Sequence, residues 1–154
     1  MKRILKIIIL LLIVCMIPFH NVKALEKNTS YIEEIFDDGS YIEITIDEGN
    51  TNARSSITKK KTATYKGSSG TVYWSVTVQG TFNYNGKTST CTSSSVSTAN
   101  YSSVWKLSNK KASRSGATAS ASVTAKQYHS NGTTVLQTIN KTVKLTCDKN
   151  GKLS

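Results

Sequence analysis

His129, the acids between Glu33 and Glu48, the cysteines Cys91 and Cys147, and the fifteen Lys and Arg that follow Gly49 are the residues whose types suit chemistry or binding. A Ser-His-Asp relay needs a histidine held between a nucleophile and a carboxylate. Beyond Ala24 the only histidine is His129, and its partner would have to be Asp148 or an N-terminal acid. Tyr128, Ser130, Asn131 and Gly132 surround it with the residues of a hairpin tip, where a histidine is solvated and not catalytic. Paired carboxylates for glycoside hydrolysis would have to come from the 33–48 cluster, whose acids alternate with isoleucines and read as an exposed strand face. One histidine and a cysteine pair do not make a zinc site, and Asp37, Asp38, Asp47 and Glu48 lack the spacing of a calcium loop. No catalytic residue, metal or cofactor is expected, and the chain reads as a non-enzymatic protein.

The cysteines read as structural. Lys2, Arg3 and Lys6 precede a thirteen-residue apolar run from Ile7 to Phe19, too short to span a bilayer, and Val22-Lys23-Ala24 offers a cleavage site after Ala24. Cys15 as a lipidated N-terminus is the alternative, but Val14 is bulky where that pattern wants a small residue. Export would place Cys91 and Cys147 where a disulfide persists. Their bond would close a loop of 57 residues, worth roughly 4 kcal/mol by the chain-entropy relation. Two free buried thiols are the other reading.

Charge is the remaining signal. Eight of the nine acids lie between Glu26 and Glu48, whereas the fifteen cations beyond Gly49 face the single acid Asp148. Lys59, Lys60, Lys61, Lys110, Lys111, Arg114, Lys141 and Lys144 are the candidates for an anion-binding surface. The partners they would favour are anionic cell-wall polymers such as teichoic acid, or a membrane surface. Such binding is blind to sequence and weakened by salt, and no module for specific nucleic-acid recognition accompanies it. A merely soluble, solvated surface is the bland alternative. The rival function is a bacteriocin-like or membrane-active antagonist, its basic body restrained by the acidic segment until cleavage near Arg54-Ser55. An acidic hairpin integral to the fold is the simpler reading of that segment.

The elements that must position these groups are strands. Tyr31–Gly39 and Tyr41–Gly49 repeat one pattern with a period of ten, and Asp38-Gly39 between them signals a hairpin. Val72, Trp74, Val76 and Val78 alternate with polar residues as a half-buried strand does, with Phe82 and Tyr84 continuing the face past Gly80, which reads as a bulge. Gly67–Gly70, Asn85-Gly86 and Asn131-Gly132 are turn signals. Further strands are expected around Trp105, from Ala117 to Tyr128, and over Val135, Ile139, Val143, Leu145 and Cys147, whose odd positions face inward. About forty Ser and Thr would occupy the wet faces. The fold class is therefore all-β: an antiparallel β-sandwich with an N-terminal acidic β-hairpin and a cleaved signal helix. Its expected organisation is a signal peptide at 1–24, the acidic hairpin segment at 25–49, a linker at 50–58 and a basic sandwich domain at 59–154.

Cys91, Trp105 and Cys147 have spacings similar to the Cys…Trp…Cys pattern of immunoglobulin-type sandwiches, although Leu145 stands where the tyrosine corner would be. Taken whole, the chain resembles a group of small secreted proteins of Gram-positive bacteria. The residues that carry the likeness are Asp38-Gly39-Ser40-Tyr41-Ile42-Glu43, Trp74-Ser75-Val76-Thr77-Val78, Gly80-Thr81-Phe82-Asn83-Tyr84 and the surroundings of the two cysteines. The resemblance implies export and a β fold and carries over no activity; the protein is expected outside the cell, either released or associated with the cell wall.

Overall fold

The computed structural model describes residues 28–47 and 56–154. The expected signal segment 1–24 lies outside them, as does the expected linker up to Ser55. Eight strands form two antiparallel sheets: β1 (Asn28–Ile35), β2 (Tyr41–Asp47), β3 (Ser56–Lys66), β4 (Val72–Tyr84), β5 (Ser89–Asn100), β6 (Trp105–Ser115), β7 (Thr118–Tyr128) and β8 (Val135–Thr146). Strands β1 to β5 lie side by side in one sheet, and β6, β7 and β8 in the other.

Alternation along the strands builds the core. Side chains of a strand point to opposite faces in turn, and the inward set is Ile42, Ile44 and Ile46 of β2, Ala63 and Tyr65 of β3, Trp74, Val76, Val78 and Phe82 of β4, facing Ala119, Ala121, Val123 and Ala125 of β7 and Ile139, Val143 and Leu145 of β8. The alanines of β7 keep that strand thin, so the larger residues of β4 can interdigitate with it. Tyr65 is the centre of an aromatic cluster at one end, with ring centroids 5.3 Å from Trp74, 5.1 Å from Trp105 and 5.6 Å from Phe36.

The acidic hairpin belongs to the larger sheet. β2 pairs with β3 from Tyr41–Lys66 to Ile46–Lys61, so hairpin and body share one ladder and one core. At its tip Gly39 adopts φ +78°, which glycine accepts without steric cost. Asp38 there accepts from the backbone and hydroxyl of Ser40, and the Tyr65 hydroxyl donates to Ser40 Oγ at 2.8 Å. Ser40 thus ties the tip to the aromatic cluster.

Four features differ from the expectations. The immunoglobulin-like arrangement is not adopted: strands follow one another in sequence order in both sheets, a meander where the immunoglobulin fold has Greek-key connections. Trp105 does not pack on the cysteines either. It lies beside Asn100 and Trp74, whereas Cys91 pairs with Phe82, eight residues and about 26 Å further along β4. Gly80 is regularly paired with Lys59 and Ser94; the irregularity falls one step later, between Thr81 and Phe82. Finally, β3 begins at Ser56, three residues before the expected start of the body.

Candidate functional site

Register decides where the basic residues go. In Lys59-Lys60-Lys61 consecutive side chains must point to opposite faces. Lys59 is only 8% exposed and lies inward opposite the side-chain-free Gly80; Lys61 shares that face, paired with buried Ile46, and Lys60 alone points outward. Lys141 pairs with buried Val123 and bridges to Glu33 and Glu34 of β1, joining the free edges of the two sheets. Arg114 donates to the Cys91 carbonyl at 3.0 Å, stitching β6 to β5 at the opposite seam. Apart from Lys60, these cations hold the sandwich together or lie on its inward faces.

Lys111 and Lys144 do reach one common surface, the outer face of the three-stranded sheet, with Lys110 beside them in β6. Five rows cross that face: Lys106, Lys126 and Thr138; Ser108, Thr124 and Asn140; Lys111, Ser122 and Thr142; Ser113, Ser120 and Lys144; Ser115, Thr118 and Thr146. From Trp105 to Thr146 the chain holds no acidic residue. Lys106 and Lys126 are directly opposed, a like-charge pair that costs stability in a sheet; Lys106 is partly compensated by lying 4.7 Å from the centroid of the Tyr128 ring. Lys106 and Lys126 were not among the sequence candidates. The signal for Lys126 was present in the β7 alternation, since Ala125 is inward and its neighbour must be outward, but the pairing with Lys106 depends on strand register.

A bulge breaks the middle of this face. Asn109 and Lys110 together oppose Val123, because Ser108 pairs with Thr124 and Lys111 with Ser122. Asn109 has φ +52°, the only non-glycine residue with positive φ among those described, and asparagine is among the few side chains that tolerate it. Between β6 and β8 lies a hollow of about 430 Å³ lined by Asn109, Lys111, Ser122, Thr124, Asn140 and Thr142, with Val123 and Lys141 at its base and edge. The Asn109 amide donates to Thr124 Oγ1 at 3.3 Å, and Thr124 Oγ1 donates to Asn140 Oδ1 at 2.8 Å.

The cysteines meet at the other end of the core. The Cys91 N–H donates to the Gly116 carbonyl at 2.8 Å and the Cys147 N–H to the Ala117 carbonyl at 3.1 Å. Both thiols are free and buried, so the expected disulfide is not formed in this structure; Cys91 Sγ donates to Ser93 O and Cys147 Sγ to Asp148 O. Burial pushes both thiols above their ordinary range, which suppresses the nucleophilic thiolate.

The catalytic candidates are dispersed. His129 caps the β7–β8 hairpin, its ring nitrogen 3.3 Å from Ser130 Oγ, whereas Asp148 follows β8 at the opposite end of the sandwich. Asp148 is occupied by the backbone N–H groups of Lys152 and Asn150, which lower its pKa. Glu43 pairs with Lys66 at 2.7 Å on the outer face of the larger sheet, away from Glu33 and Glu34. Among the described residues no three His, Cys, Asp or Glu gather as a metal site would require, and no helix is long and apolar enough to cross a membrane. Comparison with family models, curated proteins and solved structures found no match.

Proposed function

We propose that this is an exported, non-enzymatic module that binds anionic polymers of the cell envelope by electrostatics. One observation carries the reading: the outer face of the three-stranded sheet presents Lys106, Lys111, Lys126 and Lys144 with no acid anywhere in that sheet. Folded sheets ordinarily intersperse the two signs, and the directly opposed Lys106 and Lys126 repel each other until a polyanion lies across them.

Closure of a Cys91–Cys147 bond after export is part of the same proposal. The backbones of both residues are bonded to adjacent carbonyls of one turn, and the bond would tie β5 of one sheet to the end of β8 in the other. The antagonist reading needs an acidic segment that can leave. Against it stand Ile42, Ile44 and Ile46, which bury the inner face of β2 in the common core.

Cosedimentation of the purified protein with cell walls, with and without teichoic acid, over a salt series tests the proposal. Binding that requires the polymer and weakens steadily with salt is the expected result. No binding at low salt would reduce the charge to a device for solubility.

A further inference from the structure

We infer that the hollow at the Asn109 bulge is a subsite for a phosphate group of a polyol-phosphate chain, with the neighbouring phosphates of that chain lying over the lysine rows on either side. This deepens the reading above and rests on it. A bulge that survives at the centre of an otherwise regular sheet re-aims side chains at a local cost. Here the cost includes a positive φ at a residue with a side chain.

What the bulge creates is a donor-rich depression. The hydrogen bonds from Asn109 to Thr124 and on to Asn140 run in one direction and end on Asn140 Oδ1, so the Asn140 amide N–H groups are turned away from the chain of bonds. Among the described residues that nitrogen has no protein partner. Lys111 supplies a full charge, and the Ser122 and Thr142 hydroxyls stand opposite each other in the same row. An ammonium, an amide and two hydroxyls converging on one hollow suit the oxygens of a tetrahedral anion.

The flanking rows give the direction of the chain. Rows two residues apart on one face are separated by about 6.8 Å, so Lys106 and Lys126 lie one row beyond Thr124 and Lys144 one row beyond Ser122. A chain with regularly spaced phosphates crossing the hollow would meet cations on both sides. The hollow offers no aromatic platform, since the one ring on this face, Tyr128, is covered by Lys106; bases would have nothing to stack on. Hydroxyl and amide groups are instead suited to the hydroxyls of a polyol.

The test is titration of isotope-labelled protein with three probes matched in charge: a synthetic glycerol-phosphate oligomer, polyglutamate and a single-stranded oligonucleotide. The glycerol-phosphate oligomer is expected to shift the amide signals of Ser122, Thr124, Asn140 and Thr142 and to bind about tenfold more tightly than either other probe. Lys111→Gln combined with Asn140→Ala should weaken that binding about tenfold, whereas Lys60→Gln, on the other sheet, should change it less than twofold. Asn109→Gly keeps the bend, because glycine accepts the positive φ, and should weaken binding by loosening Asn140. Tight binding with shifts elsewhere, equal binding of polyglutamate or the oligonucleotide, or equal effects of the two sheets' variants would overturn the subsite and leave the parent reading standing. Failure of all three probes to bind would remove both.

Discussion

Gly80→Ala is a small change with a large expected cost. The position lies on the inner face of β4, and a Cβ built there would come within 2.5 and 2.6 Å of the Phe82 ring and 2.8 Å of the Ala119 Cβ on the opposite sheet. Carbon atoms in contact prefer about 3.5–4.0 Å, so two obstacles must each yield by about an ångström. Neither can do so freely, because Phe82 and Ala119 are fully buried and both strands are paired on each side. Overpacking of this kind costs about 1–3 kcal/mol. At about 4 °C per kcal/mol for a domain of this size, the melting temperature should fall by about 4–12 °C. Thermal unfolding followed by circular dichroism measures it, and Gly80→Ala with Phe82→Leu should recover part of the loss by making room for the new methyl. A melting temperature unchanged within a degree, or additive losses in the double variant, would refute the argument that the Phe82 ring occupies the space of the missing side chain.

Other perturbations probe the remaining devices. A chain begun at Ser56 lacks Ile42, Ile44 and Ile46, each contributing about 1.5–3 kcal/mol by burial against a net stability of about 5–15 kcal/mol; it should bind a hydrophobic dye and lose cooperative unfolding, and a native-like spectrum would show the hairpin to be dispensable. Tyr65→Phe removes the donor to Ser40 and should cost about 0.5–1.5 kcal/mol in a urea titration. The Ser40 hydroxyl and N–H hold Asp38 below the usual carboxylate range, and the N–H groups of Lys152 and Asn150 do the same for Asp148. Near pH 4 the unfolded chain therefore binds more protons than the native one, so this stabilisation is present above about pH 4 and is lost as pH falls through the lower native values. Ser40→Ala and Asp148→Asn should each flatten the decline of the urea midpoint between pH 5 and 2, and an unaltered acid limb would contradict the assignment. Reduced, folded protein should resist alkylation at Cys91 and Cys147 while the urea-unfolded chain reacts; oxidation should then add roughly 4 kcal/mol that dithiothreitol removes.

The turn residues show how far local chemistry reaches. Asp38-Gly39, Gly67–Gly70, Asn85-Gly86 and Asn131-Gly132 all fall between consecutive strands, where their backbone preferences place them. Gly116, between β6 and β7, follows a Ser- and Lys-rich stretch without hydrophobic alternation, so the far half of β6 was not legible. Its side chains are exposed even on the inward positions, so that segment is held by its pairing with β7 and by the Arg114 bond to the Cys91 carbonyl of β5 rather than by burial. The site was less legible still. The runs 59–61 and 110–111 look like charge clusters in one dimension, yet a period of two divides the first between two faces, and the second straddles a bulge.

Sequence alone determined the all-β character of the chain, most of the inward positions of β2, β4, β7 and β8 and most of its turns, because alternation and positive-φ turn residues act over a few neighbours; the far halves of β5 and β6, and the exposure of Val135 at the start of β8, were not contained in it. It also determined the separation of acids from bases, which is a matter of composition along the chain. Only the tertiary structure decided that the acidic hairpin joins the larger sheet, that Trp105 and the cysteines occupy opposite ends of the core, and that Lys106, Lys111, Lys126 and Lys144 share one face. Those outcomes depend on register between strands distant in sequence, and register is selected by the fit of whole faces against each other, which no local pattern contains.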